Sequence, residues 1–411
     1  MHRSIKAALA AVAVGALLIP NNSASAATFN APVVVSPNDV SEPGIEVAPD
    51  GTLYVHGPTG VPLWSSIWRS DNGGANWLFT PGLTRTGLGG GDIDMAIQAN
   101  GKLAFTDLWL GSSSVGVSSD KGNTWVTNQV QGTMVQDRQW VQTTNRDITY
   151  HVTHQLAAGL VVSKSVDGGL TYPVQTLAAS TLDQGNCICP SGYLVAEAGV
   201  SVGGTDDKVG VAYTTSTGVA WSYSTNGGLT WTRRVIDPTG GGSTLESFPV
   251  VANAGGGKLV AAWLEVNNSN SKVWFATSAN WGSTWSTPKT IVTTGTSVFP
   301  WIDARGSKVG VSLYHTTATG NPSNVSGSAQ WHLKYLESLD GGATFSALTT
   351  ADATAVKTGP ICTDGLNCGS DRELGDFQMV VLDNNAQANI SYVRSIDGNF
   401  NTEVRFVKQA S

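Results

Sequence analysis

Acidic side chains of this 411-residue chain recur just before or within apolar, strand-like runs. Four of them could form the carboxylate pairs that acid–base chemistry needs: Asp92, Asp137, Glu246 and Asp376. In such a pair, one carboxyl group stays protonated to assist the leaving group, while the other acts as a base or nucleophile. These residue types therefore indicate cleavage of a glycosidic bond, provided that the fold brings them together.

Basic and aromatic residues at comparable positions could bind the substrate of such a reaction. The predicted substrate-binding residues are Arg138, Arg372, His154, His315 and Trp109. The two arginines could orient a substrate or balance the charge of the acids. Trp301 and Trp331 could also stack on a sugar ring, and packing inside the sheets is the alternative interpretation for both.

A short turn pattern that recurs six times predicts the elements that position these side chains. The copies are S-D-N-G-G-A-N-W (70–77), S-S-D-K-G-N-T-W (118–125), S-V-D-G-G-L-T-Y (165–172), S-T-N-G-G-L-T-W (224–231), S-A-N-W-G-S-T-W (278–285) and S-L-D-G-G-A-T-F (338–345). The Asp or Asn can bond the turn backbone, and the glycines supply positive φ. Two more strand-like runs precede each turn, so each repeat predicts a four-stranded antiparallel sheet.

Seven such units can be counted along the chain. Their innermost strands are predicted to start at Gly44, Ile93, Gln139, Leu194, Phe248, Phe299 and Phe377. We therefore predict an all-β fold: a seven-bladed β-propeller, with six blades as the alternative, formed as one domain by residues 27–411. The seventh unit lacks the turn, and residues 28–35 resemble the fourth strand of the other units. Pairing of 28–35 with 403–407 would close the ring and cover its open edge.

Propeller geometry predicts where the charged residues meet. The loops that precede the innermost strands and those that follow the second strands share one face, and the six turns lie on the other. Glu42, Asp92, Asp137, Glu246 and Asp376 belong to the first set of loops, so they should converge on one funnel. The second set adds His56, Asp107 and Arg394 to the histidines and the tryptophan named above.

The six turns resemble the Asp-box, or BNR, repeat of sialidases and related propellers. The resemblance covers essentially all of residues 27–411 and implies that the turns are scaffold, on the face away from the active site. Segment 243–251 resembles the place of the sialidase active-site glutamate, which implies Glu246. At the places of the sialidase Arg-Ile-Pro motif and tyrosine nucleophile, this chain has Glu42-Pro43-Gly44 and Asp376-Phe377. The resemblance therefore extends to the superfamily but not to the Arg-Ile-Pro motif or the tyrosine nucleophile of sialidases.

Composition and the first residues restrict the partners and the location. Residues 1–26 have the features of an export signal: a positive start, an apolar run (7–19) and a small-residue cleavage site (24–26). We therefore expect a secreted, extracellular monomer without membrane insertion. A net charge of −7 with no Lys/Arg run disfavours nucleic acid as a partner. The expected partner is an extracellular glycan or polysaccharide.

The four cysteines suggest disulfide bonding in an exported chain. Cys362 and Cys368 bracket a short loop that suits a local bridge, whereas the pairing of Cys187 and Cys189 stays open. The predicted chemistry requires no cofactor. Ca²⁺ held by loop carboxylates is a candidate structural ion, and the sequence identifies no metal ligands.

Three functional hypotheses follow. The leading one is a glycoside hydrolase with a central acidic funnel. The second is a non-catalytic propeller that binds carbohydrate or a cell surface, since one fold hosts many functions. The third is a polysaccharide lyase that uses His154 or His315 together with an arginine.

Overall fold

The structure is a computed structural model in which seven β-sheets are arranged around a central channel. It describes residues 26–37, 40–60, 65–80, 89–109, 111–130, 135–144, 147–184, 191–238, 248–398 and 401–410. The first strand, β1 (Val33–Ser36), belongs to the last blade.

The first five blades are four-stranded antiparallel sheets whose strands follow chain order. Blade 1 contains β2 (Gly44–Val47), β3 (Leu53–Pro58), β4 (Ser65–Ser70) and β5 (Leu78–Phe79). Blade 2 contains β6 (Ile93–Ile97), β7 (Leu103–Trp109), β8 (Ser112–Ser118) and β9 (Val126–Gln129). Blade 3 contains β10 (Gln136–Thr143), β11 (Thr149–Gln155), β12 (Gly159–Ser165) and β13 (Val174–Ser180). Blade 4 contains β14 (Ser191–Glu197), β15 (Lys208–Thr215), β16 (Gly218–Ser224) and β17 (Thr232–Asp237). Blade 5 contains β18 (Val250–Gly255), β19 (Lys258–Val266), β20 (Ser271–Ser278) and β21 (Lys289–Val292).

The last two blades depart from this pattern. Blade 6 contains β22 (Thr296–Arg305), β23 (Lys308–Thr316), β24 (Gln330–Ser338), β25 (Thr349–Thr350) and β26 (Lys357–Thr358), and both β25 and β26 pair with β24. Blade 7 contains β27 (Met379–Leu382), β28 (Ala388–Ser395) and β29 (Thr402–Lys408), and β1 is its outer strand. Two short 3-10 helices cover Pro322–Asn324 and Gly365–Asn367.

The innermost strand of each blade contacts that of the next blade around the whole ring, including β27 of blade 7 against β2 of blade 1. The seven-bladed prediction is therefore confirmed, and the six-bladed alternative is excluded.

The ring closes through β1, as the sequence predicted. Strand β1 pairs antiparallel with β29, with Val33 opposite Phe406, and an isolated bridge joins Phe29 to Gln409. This pairing gives the outer edge of β29 a partner strand, so blade 7 has the same four-strand width as the other blades.

The six repeated turns share one hydrogen-bond pattern, and each joins the third strand of its blade to the fourth strand or to the segment that leads to it. In every turn the serine hydroxyl accepts a hydrogen bond from the N–H group of the glycine four residues later, at 2.8–3.0 Å. The Asp or Asn Oδ1 accepts from the N–H group four residues after it, at 2.9–3.0 Å. The side chains of each turn therefore provide hydrogen-bond acceptors for N–H groups of the same turn.

The glycine of the turn also allows close packing between blades. A Cβ atom on Gly74 would lie 2.0 Å from the Phe406 ring of blade 7, and one on Gly342 would lie 2.2 Å from the Phe275 ring of blade 5. The aromatic residues that end these two turns, Trp77 and Phe345, pack against the same rings. The repeat thus joins neighbouring blades in addition to forming a turn.

Only two innermost strands begin where the sequence predicted, at Gly44 and Ile93. Strands β10, β14 and β22 begin three residues earlier, and each contains a register shift near the predicted start. A β-bulge interrupts the alternation of side chains, which is the pattern that the prediction used. Strands β18 and β27 begin two residues later than predicted.

We expect Asp340→Ala to lower the free energy of unfolding by about 1–3 kcal/mol, because the Asp340 carboxylate accepts hydrogen bonds from the Thr344 N–H group, the Thr344 hydroxyl and the Ser338 hydroxyl. Urea unfolding at neutral pH measures this loss. Asp364→Ala is the control, because the Asp364 side chain is exposed and makes no capping hydrogen bond. Equal stability of the two variants would contradict the assigned role of the turn.

Candidate active site at the mouth of the ring

Five charged residues from four neighbouring blades meet on the face opposite the repeated turns. Glu42 precedes β2 of blade 1, and Asp92 precedes β6 of blade 2. Arg138 lies in β10 of blade 3, while Arg372 and Asp376 precede β27 of blade 7. We call these five residues the charge cluster. The cluster contains two of the four predicted catalytic residues and both predicted arginines.

Arg138 holds two acids of the cluster together. Its Nη1 lies 3.3 Å from Glu42 Oε2 and 3.2 Å from Asp92 Oδ1. A β-bulge at Arg138, where φ is +28°, interrupts the pairing of β10 with β11. Bulges commonly redirect a side chain in this way near active sites. Nε and Nη2 of this buried guanidinium have no hydrogen-bond partner among the described residues.

Arg372 orients the third acid. It donates two hydrogen bonds to Asp376, from Nη2 to Oδ2 at 2.6 Å and from Nε to Oδ1 at 3.2 Å. The same Nη2 lies 3.7 Å from Glu42 Oε1. Gly375 permits this approach between blades 7 and 1, because a Cβ atom there would lie 2.4 Å from Glu42 Cγ.

Burial changes the acidity of the Glu42–Asp92 pair. Burial raises the pKa of Glu42 well above its usual value, and the negative charges of Asp376 and Asp92 raise it further. The pKa of Asp92 is also raised, mainly by burial, while Arg138 and a hydrogen bond with Glu42 act in the opposite direction. Two neighbouring carboxyl groups that contact the same guanidinium nitrogen cannot easily ionise together. The pair can therefore retain a proton that is available for general acid catalysis.

An aromatic plug fills the channel beneath the charge cluster. It consists of Trp140, Tyr193, Phe248, Trp301 and Phe377, one from each of blades 3 to 7, with neighbouring ring centroids 5.2–6.1 Å apart. The Arg138 guanidinium carbon lies 3.9 Å from the centroid of the Trp140 ring. This cation–π contact partly replaces the solvation that the buried guanidinium loses.

The rim loop, residues 357–376, carries Arg372 and Asp376 to the cluster. Cys362 and Cys368 form a disulfide bond in this loop, which confirms the sequence prediction. Lys357 forms ion pairs with Glu373 and, at 3.3 Å, with Asp371. The side chains of Lys357 and Glu373 are only 3% and 1% exposed, so this pair holds the base of the loop in the protein interior.

The remaining predicted acids lie beside the cluster or outside the described residues. Asp137 is exposed and adjacent to Arg138, and its Oδ1 accepts a hydrogen bond from the Arg138 backbone N–H group. Glu246 lies outside the described residues, as do Cys187 and Cys189.

The predicted histidines are both buried. His154 lies opposite Asp137 in the pairing of β10 with β11, and burial lowers its pKa although Asp137 acts against this effect. His315 Nδ1 lies 3.0 Å from the Ser297 hydroxyl, and burial lowers the His315 pKa to about 4. Among the described residues, no hydrogen bond or ion pair joins His315 to the charge cluster.

Of the three tryptophans predicted for sugar stacking, only Trp109 is partly exposed, at the end of β7. Trp301 is part of the aromatic plug, and buried Trp331 donates its indole N–H to the Gly359 carbonyl at 2.8 Å. The interpretation of Trp301 and Trp331 as sugar-stacking residues is therefore wrong, since both are packing residues.

Sequence reasoning missed the central position of Glu42 and an inner layer formed by His56 and Asp94. Both of these inner side chains are fully buried, with Nε2 of His56 4.0 Å from Oδ1 of Asp94. Burial raises the Asp94 pKa to about 8 and, with the nearby Arg138 charge, lowers the His56 pKa to about 3. The only sequence signal for Glu42 was its place before an innermost strand.

Two further findings concern metals and membranes. No group of three or more His, Cys, Asp or Glu side chains in the described ranges is arranged to hold a metal ion. Within the same ranges, no helix has the length and apolar character needed to cross a bilayer.

No protein-family model matches the chain, and no curated protein matches its sequence. Solved structures with a similar fold include the α-L-arabinofuranosidase Arb93A of Fusarium graminearum, which is 12% identical with a TM-score of 0.51 over 93% of this chain and 98% of that one. The GH74 xyloglucanase of Xanthomonas campestris is 12% identical with a TM-score of 0.53, over 90% of this chain but about half, 54%, of that one. YCF48 bound to D1 peptide is 12% identical with a TM-score of 0.50, over 96% and 100% of the two chains. At such low identity these similarities show a shared fold alone.

We expect Lys357→Met to lower the free energy of unfolding by about 3–5 kcal/mol, because it leaves the buried Glu373 carboxylate without its partner. The double variant Lys357→Met/Glu373→Gln should lose less, because neither charge remains buried. Asp371→Asn is the control, since it removes only the more exposed partner of Lys357. Denaturant unfolding measures all three, and equal losses in the single and double variants would contradict a buried ion pair.

We expect Asp94→Asn to change the pH dependence of stability. The Asp94 carboxyl group has a pKa of about 8 in the folded protein, against about 3.9 in the unfolded chain. At pH values between these two, the folded state therefore holds a proton that the unfolded state has lost. Its contribution to stability is complete below about pH 4 and is lost as the pH rises through about 8. The difference in unfolding free energy between the two proteins should therefore change by up to about 1.4 kcal/mol per pH unit in this window. Urea unfolding at a series of pH values measures this change, and a constant difference would show that Asp94 is already ionised in the folded protein.

Proposed function

We propose that this chain is a secreted glycoside hydrolase that acts on an extracellular glycan through the charge cluster. One observation carries the proposal: buried Glu42 and half-buried Asp92 share the guanidinium of Arg138 and lie beside a third carboxylate that Arg372 holds in place. The solved structures of similar fold offer support, since two of them are named as enzymes that cleave glycans. The repeated turns support membership of the Asp-box propellers, and the export signal and disulfide bond support secretion.

The proposed general acid is the Glu42–Asp92 pair. Because the pKa values of both members are raised, the pair retains a proton for the leaving-group oxygen to a higher pH than ordinary carboxyl groups would. Asp92 is the more exposed member, with 16% of its side chain accessible against 8% for Glu42. Asp92 would therefore deliver the proton, and Glu42 would share and replace it.

Asp376 is the proposed nucleophile. Glu42 Oε1 and Asp376 Oδ2 contact the same Arg372 Nη2, at 3.7 and 2.6 Å, so their separation cannot exceed the sum of these two distances. Asp376 therefore lies beside Glu42, and retaining enzymes use a second carboxyl group close to the acid as their nucleophile. Asp376 would displace the leaving group and form a glycosyl–enzyme ester. Water would then cleave the ester, and the pair would take up the proton of that water.

The other predicted residues have auxiliary roles in this proposal. Exposed Asp137 lies beside Arg138 at the edge of the cluster and would contact a longer glycan, as would Trp109. Buried His154 lies opposite Asp137 in the pairing of β10 with β11 and would support it from below. Glu246 stays a candidate catalytic residue on the sequence resemblance alone.

A non-catalytic glycan-binding propeller is the second candidate. The observation that favours it is that the ion pairs of Arg138 and Arg372 connect blades 7, 1, 2 and 3, which a scaffold also requires. Glycan binding without release of any product would support this alternative.

We expect Glu42→Gln, Asp92→Asn and Asp376→Asn each to lower kcat/KM by about 100-fold or more while the fold is retained. Hydrolysis of a panel of labelled glycans by the mature protein gives the rates, and circular dichroism checks folding. Glu197→Gln is the matched control: Glu197 ends β14 at the opposite end of the channel and pairs with Lys208. Rates of the unsubstituted protein should fall as the pH rises and the pair loses its proton. Full activity in all three site variants would refute the assignment.

A further inference from the structure

Both arginines of the charge cluster are already engaged by carboxylates of the protein. Arg138 contacts Glu42 and Asp92, and Arg372 contacts Asp376 and Glu42. A free guanidinium is the usual protein partner of a carboxylate or sulfate group on a ligand. The unpartnered Nε and Nη2 of Arg138 are buried and inaccessible to a ligand, so in this site such a group would have to displace a carboxylate of the protein.

Asp376 occupies the position on Arg372 that a ligand carboxylate would need. The two parallel hydrogen bonds from Nη2 and Nε form the bidentate arrangement in which arginine binds carboxylates best. The only other acceptor on this guanidinium in the described residues is Glu42 Oε1, at 3.7 Å.

The remaining charges of the site are also negative. Asp137 is exposed beside Arg138. Burial raises the pKa of nearby Asp107 to about 7, so this acid adds at most part of a charge at neutral pH. Near the cluster, the described residues thus place four other acidic side chains against two arginines: Glu42, Asp92, Asp137 and Asp376. Even with one shared proton, a bound anion would meet like charge, which is costly where solvent is excluded.

We infer that Asp376 sets the charge selectivity of the site: by filling the Arg372 fork it restricts the substrate to glycans without carboxylate or sulfate groups. The substrate class is therefore a neutral polysaccharide or oligosaccharide. This inference shares one premise with the proposed function, namely that glycans bind at the charge cluster. It does not require that the protein cleaves them.

Equilibrium binding tests the inference with paired probes that differ only in charge: galacto-oligosaccharides against galacturono-oligosaccharides, and gluco- against glucurono-oligosaccharides. The unsubstituted protein should bind the neutral member of a pair at least about tenfold more tightly. Asp376→Asn frees Arg372 of its charged partner and should shift this ratio by about tenfold or more towards the anionic member. Asp376→Ala should shift it in the same direction. Calorimetry at two salt concentrations measures the affinities, and the gained anion binding should weaken with salt.

Asp371→Asn is the matched control, since it removes one negative charge from the same rim loop but from the partner of Lys357 rather than of Arg372. It should keep the ratio of the unsubstituted protein. An equal shift in Asp371→Asn and Asp376→Asn would show that net charge, not the Arg372 fork, sets selectivity and would overturn the inference. Tighter binding of anionic probes by the unsubstituted protein would overturn it directly.

The outcomes also separate this inference from the proposed function. Selective binding of neutral probes without any cleavage would support the inference and refute the hydrolase. Cleavage of an anionic glycan at the charge cluster, lost in Asp376→Asn, would support the hydrolase and refute the inference. No binding of any probe by the unsubstituted protein or by the variants would refute both.

Discussion

The burial of the Arg138 guanidinium at the mouth of the ring is the constraint on which the candidate site depends. An unpaired charge at such a position would be strongly destabilising, so the surrounding blades must supply opposite charge and a polarisable surface. Glu42 and Asp92 supply the charge and Trp140 supplies the surface. Bringing these carboxyl groups together in a buried place also raises their pKa values. The interaction that stabilises the arginine thus also changes the acidity of both carboxyl groups.

This arrangement exists only because the ring is closed. Strand β1 completes blade 7 by pairing with β29, and the innermost strand of blade 7 then packs against that of blade 1. Contact between Gly375 and Glu42 becomes possible there, and it brings the Arg372–Asp376 pair to the cluster. Closure of the ring and the approach of Asp376 to the cluster therefore depend on the same contact between blades 7 and 1.

The sequence was informative wherever the determinant is local. The repeated turns together with the strand-like runs around them predicted the number of blades, the terminal strand predicted ring closure, and the six-residue spacing of Cys362 and Cys368 predicted their bond. The sequence was not informative where a feature depends on contacts between residues that lie far apart in the chain. Glu42 and Arg138 are 96 positions apart, and the bulge that turns Arg138 towards Glu42 interrupts the alternating pattern from which strands are recognised. The burial of Trp301 likewise depends on aromatic side chains from other blades.

The carboxylates of the repeated turns and those of the charge cluster differ in how well their hydrogen-bonding needs are satisfied. On the turn face, the carboxylates of Asp120 and Asp340 accept several hydrogen bonds each, and their pKa values are lowered, to about 2 for Asp340. At the opposite face, Glu42 and Arg138 adopt positive φ angles, which are strained for such residues, and the pKa of Glu42 is raised. A scaffold would be more stable with apolar or fully bonded side chains there. The cluster therefore combines backbone strain, a buried guanidinium and a carboxyl group of raised pKa, a combination that is common at functional sites.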